Sequence, residues 1–126
     1  MSEEIKSVLI VDDDSQLRLL LATAFQREGW HVVEAPDAHY ALTLTVRGDC
    51  DFDVILVDVN MPGMNGVEFV RILKTLKEQQ NTIIAVMTGS ASNEQEKLAR
   101  DLKPTFMYRK PFNVLDLMDE ICRHMK

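Results

Sequence analysis

Three stretches of the chain are short, unbroken apolar runs rich in β-branched residues: Val8-Leu9-Ile10-Val11, Val54-Ile55-Leu56-Val57 and Thr82-Ile83-Ile84-Ala85-Val86-Met87. They lack the in–out alternation of a half-exposed strand, which predicts strands covered on both faces. His31–Ala35 and Thr105–Tyr108 read as two weaker strands. Helical spacing fills the intervals. Leu17, Leu20, Leu21, Ala24 and Phe25 fall on one predicted helical face, with Asp14 or Ser15 as its cap and Gly29 at its end. Pro36-Asp37 opens a shorter helix carrying Ala38, Ala41 and Leu42, and Gly48-Asp49 marks a loop. Phe69, Ile72, Leu73 and Leu76 mark a third helix, and Leu98, Ala99 and Leu102 a weak fourth within 93–102. Pro104 must end that helix, because the residue before a proline is pushed out of the helical region. Val114, Leu117, Met118, Ile121 and Met125 mark the last helix.

Strand and helix alternate five times. That pattern predicts an α/β fold, a parallel sheet with helices on both faces. In such sheets ligands sit beyond the carboxyl ends of the strands. The residues found there are Asp12-Asp13 after the first strand, Asp58 after the third with Asn60 two further on, Thr88 after the fourth and Lys110 near the end of the fifth. Three carboxylates brought together repel, so one must take a proton or a cation must enter. A hard cation with oxygen ligands answers this. Mg²⁺ takes one or two carboxylates, keeps waters and leaves room for a phosphoryl oxygen. A carboxylate is also a competent nucleophile toward phosphorus. Lys110 and Thr88 then supply a charge and a hydrogen-bond donor for phosphoryl oxygens, so the set suits phosphoryl transfer by positioning and charge neutralisation.

Composition narrows the picture. The length of 126 residues predicts a single domain, 1–126, and 46% apolar residues suffice for its core. A net charge of −6 without any Lys/Arg cluster argues against nucleic-acid binding. Cys50 and Cys122 form no close pair and are expected as reduced thiols. No apolar run approaches the length of a membrane span, and the polar start Met1–Lys6 lacks a signal-peptide core. The expectation is a soluble, cytoplasmic protein that binds neither membrane nor nucleic acid.

With these residues in view, the chain resembles the receiver domain of response regulators. The resemblance runs from Val8 to Met125 and rests on Val11-Asp12-Asp13-Asp14, Val57-Asp58-Val59-Asn60-Met61-Pro62-Gly63-Met64-Asn65-Gly66, Met87-Thr88-Gly89 and Lys110-Pro111-Phe112. The gaps are 45 residues from Asp13 to Asp58, 30 to Thr88 and 22 to Lys110. The resemblance implies a flavodoxin-like sheet of five strands in order 2-1-3-4-5 with five helices. It implies Asp58 as phosphoacceptor, Asp13 as a direct Mg²⁺ ligand, Asp12 as a ligand mainly through water, and a backbone carbonyl from Asn60. Thr88 resembles the switch hydroxyl and Lys110 the phosphoryl-binding lysine, with a cis Lys110–Pro111 bond. The implied function is a signalling switch in a two-component phosphorelay that catalyses only its own phosphorylation and dephosphorylation. The implied partners are a sensor histidine kinase or histidine phosphotransfer protein upstream, and a downstream protein or an output domain.

The pattern departs from the family at two places. The aromatic often found three residues before the lysine is Met107 here, with Tyr108 next to it. A small-residue stretch before the last strand is replaced by Asp101-Leu102-Lys103-Pro104-Thr105. Asn60 and Ser90, small and polar beside the path of an attacking water in similar domains, predict a short-lived phosphorylated state.

Two other function classes are disfavoured. A haloacid-dehalogenase-type phosphatase wants an Asp two after the nucleophile, where this chain has Asn60, and leaves no room for a cap domain. A silent binding module is at odds with the complete set of acids, threonine and lysine, and an acidic rim does not suit a flavin phosphate. His31, His39 and His124 lie in no phosphohistidine context, and Trp30 reads as a partly buried edge residue. Met87, Met118 and Met125 are assigned to the core, and Glu94, Glu96 and Lys97 to a solvated helix face.

Overall fold

The computed structural model describes residues 5–47, 51–61, 66–76, 81–89 and 93–125. Its elements are β1 (Ser7–Val11), α1 (Ser15–Arg27), β2 (His31–Ala35), α2 (Ala38–Val46), β3 (Val54–Asp58), α3 (Gly66–Leu73), β4 (Ile83–Thr88), α4 (Asn93–Asp101), β5 (Phe106–Arg109) and α5 (Val114–His124). All strands are parallel, in the order β2-β1-β3-β4-β5. The predicted architecture is therefore present, with strand limits moved by a residue or two.

The three apolar runs form the centre of the sheet and are buried on both faces. Leu9, Val11, Ile55, Val57 and Val86 face one core with Ala38, Ala41, Phe69, Leu73 and Ala99 from α2, α3 and α4. Val8, Ile10, Val54, Leu56 and Met87 face the other with Leu21, Phe25, Leu117 and Ile121 from α1 and α5. Successive strand residues thus feed opposite cores, as the pleat requires. The direction in which strands are added reverses at β1, with β2 on one side and β3 on the other, which opens a crevice at the carboxyl ends of β1 and β3.

Asp14 caps α1, accepting from the amides of Gln16 and Leu17, and Asp37 caps α2, accepting from Tyr40. Gly29 takes φ +86 just after α1, a left-handed conformation suited to glycine. Lys103, before Pro104, leaves the helical region with φ 55. The Lys110–Pro111 bond is cis.

The structure corrects four expectations. Leu20 is 61% exposed, so the inner face of α1 is built on Leu21, Ala22 and Phe25 instead. The apolar stripe of α1 is wider than its buried face, and periodicity alone assigned Leu20 to the wrong edge. Leu98 is likewise exposed, leaving Ala99 as the buried contact of α4. Trp30 is buried, edge-on against Phe25 at 5.0 Å between ring centroids, where a partly buried edge position was expected. Glu96 is no solvated surface residue: its carboxylate accepts two bonds from Arg109 Nη2, at 2.6 and 2.8 Å, which ties α4 to β5. Cys50, the Gly48-Asp49 loop, Pro62–Asn65 and Ser90 lie outside the described residues, as does the side chain of Glu94.

Candidate functional site

The site begins with the turn leaving β1. Asp12 is fully buried, and each of its polar groups has a partner. Its amide donates to Ala35 O at 3.2 Å. Its carbonyl accepts from Arg18 Nη1 at 2.6 Å, its Oδ1 accepts from the Asp14 amide at 2.9 Å, and its Oδ2 meets Lys110 Nζ at 2.7 Å. Asp13, next in the chain, is exposed at the mouth. Asp58, the last residue of β3, is buried; its Oδ1 accepts from the Asn60 amide at 2.9 Å and its Oδ2 from Lys110 Nζ at 3.1 Å. One ammonium therefore bridges two buried carboxylates carried by different strands. Lys110 reaches them from just beyond β5, where its own amide donates to Thr88 O at 2.7 Å.

Electrostatics set the character of this cluster. Burial raises the Asp12 carboxyl above its ordinary value; the bonds from Lys110 and Asp14 pull it back, while the charge of Asp58 pushes the same way as burial. Burial by itself would lower Lys110, but the carboxylates of Asp12 and Asp58 prevail and hold its ammonium above the usual lysine value. Oxygens of Asp12, Asp13 and Asp58 all lie within 4.8 Å of one another. Among the described residues, Lys110 is the cation whose charge meets the carboxylates of this cluster directly. A hard, all-oxygen donor set with excess negative charge fits a small divalent cation, which would offset the burial cost and the repulsion from Asp58 that raise Asp12.

Thr88 ends β4, buried, and its hydroxyl donates to Tyr108 O at 3.5 Å, a long contact that constrains it little. The Asn60 Nδ2 is buried without a hydrogen-bond partner and lies 3.4 Å from where a Cβ on Gly89 would be. Thus Asp12, Asp13, Asp58 and Lys110 are brought into one cluster, with Asn60 and Thr88 at the ends of the neighbouring strands. Pleat parity separates the two candidates for the missing aromatic. Met107 packs toward α2–α4, whereas Tyr108 packs with the α1/α5 core and donates its hydroxyl to Glu120 at 2.6 Å. Tyr108 is therefore on the wrong face of β5 to take over the position of Met107.

Two residues escaped the reading of the sequence. From the sequence alone Arg18 has no assigned role, yet it reaches the backbone of Asp12 and also meets Glu34 at 3.3 Å. A cation early in α1, in a first turn with no acidic residue, runs against the helix dipole and was the available signal. Gly66 stands in the sequence only as the end of the stretch that carries the family resemblance. A Cβ there would stand 2.3 Å from Asp58 O, so the glycine lets α3 start directly on the backbone carrying Asp58.

The comparisons with known proteins agree with this geometry. A family model described as the response regulator receiver domain matches residues 8–122. The sporulation initiation phosphotransferase F of Bacillus subtilis (strain 168) is 28% identical over 120 residues, which is 95% of this chain and 94% of that protein. The transcriptional regulatory protein CpxR of Escherichia coli (strain K12) is 34% identical over 114 residues, 90% of this chain; the chain spans only 47% of that relative's length. Among solved structures, the response regulator protein TrrA from Thermotoga maritima, in complex with Mg²⁺–BeF, matches with a TM-score of 0.79 at 26% identity, over 94% of this chain and 98% of that one. No helix among the described residues is long and apolar enough to cross a membrane.

Proposed function

This chain belongs to the response regulator receiver domain family, and from that premise we propose that Asp58 accepts the phosphoryl group and that the whole of 1–126 works as one phosphorylation-dependent switch. Receiver domains are signalling switches of two-component systems, phosphorylated on an aspartate, and not enzymes that turn over a separate substrate. The observation that supports the assignment here is the single ammonium of Lys110 shared by Asp12 and Asp58.

The donor is the phosphohistidine of a sensor histidine kinase or of a phosphotransfer protein. An Asp58 carboxylate oxygen forms the new O–P bond as the N–P bond breaks, and the imidazole leaves with that electron pair. Asp12, Asp13 and Asp58, with the backbone carbonyl of Asn60, would hold Mg²⁺, whose charge when bound offsets that of the phosphoryl oxygens. The relative crystallised with Mg²⁺–BeF supports this choice of ion. The Asn60 amide already fixes one oxygen of Asp58, which orients the carboxylate. Lys110 exchanges a carboxylate partner for a phosphoryl oxygen, and Thr88, weakly held at Tyr108 O, turns its hydroxyl to another. Phosphorylation shifts a population between two arrangements of the end of β4 and the neighbouring helix α4. A downstream protein or an output domain reads the change. Asn60 leaves the acyl phosphate open to water and keeps the modified state short-lived.

The test is phosphorylation by a small-molecule donor such as acetyl phosphate, followed by intact mass with and without Mg²⁺. The wild type is expected to gain one phosphoryl group only with Mg²⁺, and Asp58→Asn none. A comparable gain in Asp58→Asn places the modification elsewhere and overturns the assignment.

A further inference from the structure

Arg18 stands outside the set of acids, threonine and lysine, yet it makes one of the shortest hydrogen bonds at the mouth of the site. Its Nη1 donates to the carbonyl of Asp12 at 2.6 Å, and its Nε donates to Glu34 at 3.3 Å. The side chain is only 17% exposed, laid from α1 across the end of β1 to β2. A guanidinium is a planar fork with fixed donor directions, so two anchors hold both its position and its plane. The bond to Asp12 then holds a peptide plane. The carbonyl that Arg18 grips belongs to the peptide joining Asp12 to Asp13, and the direction of that plane sets where the Asp13 side chain leaves the backbone. On its other side Asp12 is held by the bond from its amide to Ala35 O. The turn carrying both acids is thus clamped from β2 through one backbone contact and one side-chain strut.

We propose that Arg18 is a positioning residue that orients the Asp12–Asp13 turn for Mg²⁺ binding. This rests on the reading of Asp12, Asp13 and Asp58 as the metal-holding acids. Geometry and charge make opposite demands here, which gives the proposal a sign. As a cation near an acidic site, Arg18 repels Mg²⁺, so removing it for charge alone would tighten binding. As a strut it preorganises the ligands, and removing it loosens them. Outer partners of metal ligands are typically worth ~10–100-fold in affinity, more than screened repulsion from a partly exposed guanidinium returns.

The experiment is calorimetric titration of Mg²⁺ into the full chain as wild type, Arg18→Met, Arg18→Lys, Asp13→Asn and Asp58→Asn, with thermal unfolding in chelator recorded for each. Met keeps the stem packed on α1 and deletes the donors. Lys keeps the charge but cannot span Asp12 and Glu34 with a fork. Arg18→Met is expected to bind Mg²⁺ about tenfold more weakly and Arg18→Lys about threefold more weakly. Amide shifts of Arg18→Lys in the metal-free state should concentrate at Asp13 and Asp14. Tighter binding by Arg18→Met, or wild-type affinity in Arg18→Lys, overturns the proposal, and the lysine variant decides alone if the methionine variant does not fold. The two carboxylate variants separate the layers. If they bind Mg²⁺ like wild type, the metal site itself is misassigned and the role of Arg18 falls with it. If they lose Mg²⁺ while both Arg18 variants keep it, only the role of Arg18 falls.

Discussion

Among the described residues, Lys110 is the cation that pairs with both buried carboxylates, Asp12 and Asp58, and this makes its removal a two-sided experiment. Lys110→Met leaves two carboxylates facing each other without a cation. The metal-free protein is expected to lose about 2–4 kcal/mol, read by urea unfolding in chelator. Mg²⁺ affinity should rise in the same variant, because the ion no longer competes with an ammonium for Asp12 and Asp58, while the response to phosphorylation is lost. A fall in affinity would mean that Lys110 orders the carboxylates for the ion. The pH dependence follows from the directions of the shifts. The ammonium of Lys110 is held above 10.5, so its stabilising contribution is complete below 10.5 and disappears as pH rises through the higher folded value. Lys110→Met should remove that alkaline loss. Asp12 shifts stability in the same direction with pH, but through its neutral form: raised above 3.8, it favours the fold while protonated, below 3.8, and loses this as pH rises through its folded value. Burial of the ionised form of Asp12 is therefore a cost to the fold.

At the scale of elements, α3 shows how backbone proximity escapes a reading of side chains. A Cβ at Gly66 would stand 2.3 Å from Asp58 O and 2.6 Å from Val59 Cα, both backbone atoms that no rotamer change can move aside. Gly66→Ala is expected to displace the start of α3 or the end of β3 and to destabilise by about 3 kcal/mol or more, with phosphorylation impaired through displacement of Asp58. Wild-type stability and phosphorylation in that variant would show that α3 can back away freely. The glycine itself was plain in the sequence; its reason was not, because a turn glycine and a contact glycine look alike in one dimension. The same limit explains Glu96 and Leu20. Charge on a weak helix suggested solvent for Glu96, but β5 brings Arg109 against it. Leu20 fits the helical period as well as Leu21 does, and only the direction from which the sheet approaches decides between them.

For the whole molecule, the runs at 8–11, 54–57 and 82–87 were legible because a strand covered on both faces has no polar positions to blur it. The parallel order then carried the acids, Thr88 and Lys110 to one end without any knowledge of distances. What remained hidden were contacts of high sequence separation, such as Lys110 with Asp12 and Arg18 with Glu34, since they depend on how the strands are laid side by side. That assembly also concentrates charge, so the molecule holds its site at the expense of its own stability. In chelator at pH 7, Asp12→Asn should be more stable than wild type, because burial of a carboxylate is relieved and Lys110 still pairs with Asp58. With Mg²⁺ the order should change. Binding only to the folded state stabilises wild type by ~2.7 kcal/mol at a hundredfold excess over Kd, a rise of roughly 10 °C in Tm for a domain of this size. Asp12→Asn binds more weakly and gains less at the same concentration. Melting curves of the two proteins against Mg²⁺ should therefore cross. Curves that run parallel would mean that Asp12 is indifferent to the ion and serves only as the partner of Lys110.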